Sequence, residues 1–184
     1  MTRKTVTELY AQAQSSFLDN ITGAITPALL RNFCLDFLDT IRPSYAALAI
    51  TSEISKSATG TYSTFVWNSQ IAAQAPDYAV SLASGTVTRS GGPASARIAF
   101  SIDAKGANNS ITSFAFFVDN VETPWAQSNT STSATDAQSF AFTAVNYSAS
   151  LEPQYEVRIK TTVPGNILLS NGVLVVENIP VNTN

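Results

Sequence analysis

Histidine is absent from the 184-residue sequence, and cysteine occurs once, at Cys34. Without an imidazole the chain has no Ser-His-Asp or Cys-His nucleophile system, no His-ligated zinc or iron, and no ordinary pH switch. One thiol allows no internal disulfide and no thiolate metal cluster. Charge is scarce as well: Asp, Glu, Lys and Arg make up 12% of the residues, roughly half the usual share of about 25%. The net charge is −3 and the pI about 4.8, which predicts no nucleic-acid footprint. No apolar run approaches the roughly 20 residues of a membrane span, so no membrane insertion is expected. The basic start, Met1 to Glu8, leads into no uninterrupted apolar stretch, so no Sec-type leader is expected either.

Apolar residues, by contrast, are plentiful at 45%. A chain of this composition is not disordered, because disorder needs low hydrophobicity and high charge. Its surface must instead be covered by Ser, Thr, Asn, Gln and Ala. The length suits one ordinary domain with a small appendage. These features together point to a non-catalytic, mostly β protein that needs no cofactor.

The appendage, residues 1–43, reads as two short helices. Thr5 and Glu8 have capping-box spacing. Val6, Leu9, Tyr10, Ala13 and Phe17 recur at three- and four-residue intervals, as on an amphipathic helix. Asp19-Asn20 breaks that pattern, and Gly23 marks a loop. Thr26-Pro27 then opens a second helix with an N-cap and a proline at the first turn. Leu30, Phe33, Cys34, Phe37, Leu38 and Ile41 fall on one face, and Arg42-Pro43 ends it.

Residues 44–184 switch to a period of two. Eight strands are predicted: 45–54, 61–68, 78–88, 96–103, 111–119, 139–147, 154–163 and 166–176. Gly60, Pro76, Gly91-Gly92-Pro93, Gly106, Pro124, Pro153 and Pro164-Gly165 punctuate them. Tyr155 to Lys160 alternates most cleanly, apolar against charged. Strands of this kind without intervening helices imply an antiparallel β-sandwich or jelly roll. Gln127 to Asp136, almost all Ser, Thr, Asn and Ala, is expected to form a long exposed loop.

Two segments demand cover. A helical piece of roughly 40 residues rarely folds alone, yet this one carries a dense apolar face. It packs on its own sandwich, or it docks on symmetry mates or a larger assembly. The run Val173-Leu174-Val175-Val176 shows no alternation, which implies cover on both faces. Either a second subunit supplies it, making Val173, Val175 and Val176 interface residues, or the strand lies centrally beneath a loop.

Other candidate sites are weaker. Asp36 and Asp39 form a carboxylate pair three residues apart, with the spacing of a solvated helix face. Asp119, Asn120 and Glu122 offer oxygen ligands for calcium, or simply form a turn. Ser90-Gly91-Gly92-Pro93 lacks the following Lys-Ser/Thr of a phosphate loop. The Asn-x-Ser/Thr triplets at Asn20, Asn108, Asn129 and Asn146 are what a Ser/Thr-rich chain produces by chance. Cys34 is expected to be a small buried hydrophobe, and Trp67 a core residue. Trp125, beside Pro124 and the polar segment with Asn129, is the candidate aromatic platform for a ligand, or a half-buried rim residue.

The stretch Ile25-Thr26-Pro27-Ala28-Leu29-Leu30-Arg31, continuing to Phe37-Leu38-Asp39-Thr40-Ile41, resembles an N-terminal segment common in bacteriophage tail-fibre and virion proteins. Thr40-Ile41 stands where that segment frequently has a serine. Ser110 to Glu122, Leu151 to Ile159 and Asn171 to Val176 resemble hairpins and strands of the TNF/C1q-like jelly rolls of phage and spore surfaces. Pro153-Gln154 replaces that group's usual Gly-Asp. The resemblance implies a homotrimer packed around a threefold axis through apolar strand faces.

The resulting expectation is a non-enzymatic phage virion protein, assembled in the bacterial host cytoplasm as a small head decoration, fibre or tail adaptor. Its helices would anchor it to other virion proteins of the capsid or tail through Leu30, Phe33, Phe37, Leu38 and Ile41. The alternative is a tail-fibre module that binds a host-surface glycan or receptor through Trp125 and the 127–136 segment.

Overall fold

A computed structural model describes residues 6–16, 26–41, 44–73, 77–90 and 94–179. Expectations for Thr5, Phe17, Gly23, Arg42-Pro43, Pro76 and Gly91-Gly92-Pro93 lie outside these residues. The chain divides into two compact units, with Ser44–Ile179 forming the larger one.

In the smaller unit, α1 spans Val6–Ser16 and α2 spans Pro27–Ile41. Thr26 caps α2 as its sequence predicts. The Leu29 N–H donates to the Thr26 hydroxyl at 3.2 Å, and the Leu30 N–H to the Thr26 carbonyl at 3.1 Å. The two helices pack together, and Leu9 of α1 is buried.

The larger unit is an antiparallel sandwich of two sheets. The first sheet joins, in order, β10 (Gln138–Ser148), β7 (Ala94–Lys105), β12 (Gly165–Ile179), β1 (Tyr45–Ile50) and β4 (Ser69–Ala73), with β2 (Ile54–Ala58) also on β12. The second joins β5 (Tyr78–Ser81), β6 (Thr86–Arg89), β11 (Gln154–Thr161), β8 (Ile111–Val118) and β9 (Val121–Thr130), with β3 (Ser63–Thr64) also on β11. The mainly β, two-sheet antiparallel architecture behind two short helices is the one expected.

The strand list needs correction. Tyr78 to Thr88 is a hairpin, not one strand, because Gly85 turns the chain at a φ of +69°. Most of 61–68 is irregular, while β2, β4 and β9 were not foreseen. The polar segment 127–136 is also partly strand: Gln127 to Thr130 close β9, and only the residues beyond them turn.

An aromatic cluster fills the space between the sheets. The Phe114 ring of β8 lies 4.7 Å from Phe140, 5.4 Å from Phe100 and 6.0 Å from Phe65. Trp67 is buried beside Phe65, in the core as expected.

The β12 run that shows no alternation in sequence does alternate in space. A bulge between Ser170 and Val173, with Asn171 at a φ of +52°, shifts the strand by one face. Ile167 and Leu169 point inward before it, and Leu174 and Val176 after it. Val176 is therefore a core residue, fully shielded within its own chain. Val173 and Val175 take the outer face, where they are half-buried.

Candidate functional site

No described residue is histidine, and no group of Cys, Asp and Glu among the described residues is placed to hold a metal. No described helix is long and apolar enough to cross a membrane. The features with functional potential are surfaces.

The first is the helix stripe. Leu30 is 49% and Phe37 46% exposed, and Cys34 is exposed between them. Cys34 is thus not the buried hydrophobe expected: it shares the side of α2 that its own unit leaves uncovered. Phe33 and Asp36 are half-buried. The side chains of Leu38, Asp39 and Ile41 lie outside the described residues.

The second is the outer face of the first sheet. Register places Ala47 and Ala49 of β1 opposite Val175 and Val173 of β12, and Val175 opposite Ala99 of β7. Ala99 in turn faces Thr143 of β10, and Arg97 faces Val145. Small or aliphatic side chains therefore line this face: Ala47 and Ala49 are buried, Ala99, Val173 and Val175 are half-buried, and Val145, Tyr147 and Tyr45 are exposed. Its charges sit at the ends. Arg97 and Glu177 pair at 3.9 Å. Asp103 accepts from the Ser139 hydroxyl at 2.6 Å and from the Asn171 amide at 2.8 Å. Those hydrogen bonds, Asn171's first, hold the Asp103 carboxyl below its ordinary pKa.

The outer face of the second sheet is covered by long side chains of the same chain. Ala115 and Phe117 of β8 point outward yet are buried. The Tyr62 ring packs edge-on to Phe117 at 5.5 Å, and the Arg158 guanidinium lies 4.3 Å from the Phe117 ring centre. Lys160 places its ammonium 4.2 Å over Tyr62. Glu156, itself buried, pairs with Arg158.

Trp125 lies on β9, the edge of this sheet, at a bulge opposite Phe116 and 40% exposed. It is available to a partner. Asn129 is not a free ligand contact: its amide donates to the Ser139 carbonyl of β10 at 2.9 Å. Two residues earlier, the Gln127 side-chain oxygen accepts the Ala141 N–H at 2.6 Å. These two amides clasp β9 to β10, one strand from each sheet. Sequence reading missed the clasp, and its only signal was a polar residue at alternate positions of a strand hidden by Pro124.

Asp119 and Asn120 form the two-residue turn between β8 and β9, with φ of +51° and +66°. The Asp119 carboxylate accepts from the Gln154 N–H at 2.9 Å and the Ser148 hydroxyl at 3.2 Å. Asn120 accepts from Arg158. Their oxygens are thereby committed to protein donors, which answers the calcium reading with a turn. Burial raises the Tyr155 hydroxyl to about 12 and raises Tyr78 further, with Arg89 drawing both back.

No protein-family model and no curated protein matches the sequence. Solved structures do match the fold. Murine APRIL at pH 8.0 superposes with a TM-score of 0.53 over 75% of this chain and 100% of that one, at 10% identity. The Eiger TNF from S. frugiperda gives 0.52 over 78% and 97%, at 13% identity. With two antiparallel sheets in this order and these neighbours, the larger unit is a TNF-like jelly roll.

Proposed function

We propose that this chain is a non-enzymatic structural protein of a bacteriophage virion, a homotrimer whose jelly rolls meet through the outer face of the first sheet. Its helical segment attaches the trimer to the capsid or tail, as a head decoration, fibre or tail adaptor. The observation that carries the trimer is the contrast between the two outer faces. One is sealed by the subunit's own Tyr62, Arg158 and Lys160. The other presents half-buried Ala99, Val173 and Val175 beside the buried small residues Ala47 and Ala49, with its charges at the ends. A smooth, weakly charged apolar face marks an association surface. The phage assignment rests on the resemblance of Ile25 to Ile41 to virion segments, and no comparison adds to it.

Light scattering should give three times the 19.5 kDa chain mass. Val175→Glu should give a folded monomer, because it places a carboxylate in the middle of that face. A wild-type monomer at micromolar concentration would refute the trimer. Particles carrying the full chain, but not one lacking residues 1–43, would support the attachment role; equal incorporation of both would end it.

A second reading, a glycan or receptor contact through Trp125, is favoured by that indole's exposure on an otherwise clasped edge. Trp125→Ala should then abolish binding on a glycan array and leave the trimer intact.

A further inference from the structure

Two adjoining sides of α2 behave differently. On a helix of 3.6 residues per turn, Leu29, Phe33 and Asp36 share one side, and all three are half-buried. Leu30, Cys34 and Phe37 share the next side, and all three are exposed. Their spacing is four residues, then three, and Ile41 continues it four further on. That spacing is the 3.5-residue repeat by which a helix meets a like helix along a continuous seam. The α1–α2 pair gains nothing from it, since the seam is on the exposed side.

We infer that this seam is covered by the same seam of the other copies of the chain, parallel and in register. The inference rests on the trimer proposed above, whose symmetry excludes antiparallel pairs. Only residues 42–44 separate α2 from β1, a strand of the sheet assigned to the interface. That connection spans at most about 14 Å. Copies related by a threefold axis never hold equivalent helices antiparallel, and helices that run along the axis are parallel and in register. Tethering of this kind gives effective concentrations in the mM range. A two-heptad helix too short to associate alone can pair under such conditions. The surface that meets the particle is then the outside of the helical bundle, where Tyr10 of α1 stands exposed.

Cys34 lies on the seam and reports on it directly. Cysteines whose Cα atoms approach within about 7 Å can be oxidised to a disulfide. Mild oxidation of the full-length protein should therefore give a linked dimer on a non-reducing gel, with one chain of each trimer left unlinked. The rate should not change on dilution, and Cys34→Ser should abolish the band. Cys34 is the middle residue of Pro27–Ile41, so an antiparallel pair would also link through it. Leu30→Cys on the Cys34→Ser background removes that ambiguity, because only a parallel, in-register seam brings position 30 against itself. Asn32→Cys on the same background, exposed on the far side of α2, should link more slowly by about tenfold or more. All samples are checked for mass by light scattering. A trimer in which Asn32→Cys links as fast as Cys34, or in which Leu30→Cys does not link, overturns the seam and leaves the sheet-face trimer standing. A monomer overturns both.

Discussion

Replacing Gly85 by alanine tests how the β5–β6 hairpin is seated on the core. Gly85 has a φ of +69°, a conformation that costs an L-residue roughly 1–2 kcal/mol. A Cβ built there lies 2.6 Å from the Phe65 carbonyl oxygen and 3.2 Å from Cδ1 of the Trp67 ring. The first of these is backbone and cannot rotate away. Phe65 and Trp67 are both buried, and the Trp67 backbone N–H donates to the Leu82 carbonyl at 3.1 Å in the same hairpin. The hairpin must therefore lift, or the core must shift by several tenths of an ångström, at a further cost of about 1–3 kcal/mol. The total is about 2–5 kcal/mol. For a domain of this size each kcal/mol moves Tm by roughly 2–4 °C, so a fall of roughly 4–20 °C is expected.

Gly165→Ala is the matched control. No heavy atom lies within 4 Å of a Cβ at that position, so the change should stay within about 0.5 kcal/mol. Urea and thermal unfolding, followed by circular dichroism at one fixed protein concentration, would compare the two, because an oligomer's Tm moves with concentration. Equal stabilities for Gly85→Ala and Gly165→Ala would refute the account of how the hairpin meets Trp67.

Gln127→Ala and Asn129→Ala should each lower stability by about 1 kcal/mol in urea, and their double-mutant cycle should show coupling, since both close the same pair of strand edges. Asp103→Asn should cost at most about 1 kcal/mol at neutral pH, because the carboxylate is solvent-screened. Its folded-state pKa is depressed, so its contribution is present above the unfolded value of about 3.9 and fades as pH falls through and below it. The asparagine variant should accordingly show a shallower loss of Tm between about pH 5 and 2. Deleting residues 132–136 should be tolerated, whereas deleting 128–134 should unfold the edge. The longer deletion removes Asn129 from the clasp, and with it buried Ser131, whose N–H donates to the Ser110 carbonyl at 2.8 Å. Equal melting of the two deletions would contradict the placement of β9.

The fold class was legible because the hydrophobic period changes from 3.6 to two at about Ser44, and because Thr26-Pro27 is an unambiguous helix start. What stayed hidden has particular causes. Segments such as Ile54–Ala58 and Ser69–Ala73 carry too few large apolar residues to show a period, since one of their faces is exposed or at an edge. Val121–Thr130 contains Pro124 and reads as punctuation, but a proline is tolerated on an edge strand at a bulge. In β12 the apolar run taken alone implies two covered faces. The bulge at Asn171 restores it, placing Val176 inside and leaving only Val173 and Val175 outside. For Cys34, an amphipathic pattern shows that residues share a side and says nothing about which molecule lies against it.

That last ambiguity also separates the two sheet faces, and the separation follows from side-chain length. Where outward residues are Ala115 and Phe117, the neighbouring strand supplies Arg158 and Lys160, whose stems lie along apolar surface while their charged ends stay in water. Long arms fold back and seal a face within one subunit. The first sheet offers only Ala47, Ala49, Ala99, Val173 and Val175 at its centre, none long enough to reach over a neighbour. In the proposed trimer that face is completed by something flat laid against it. A second copy presents a flat apolar sheet of the same kind, and the absence of charge across its centre leaves no ion to strip of water when the two meet. The same short side chains make the face easy to cover in the proposed trimer, and Ala99→Arg, which lays a long charged arm across it, should leave the chain monomeric by light scattering.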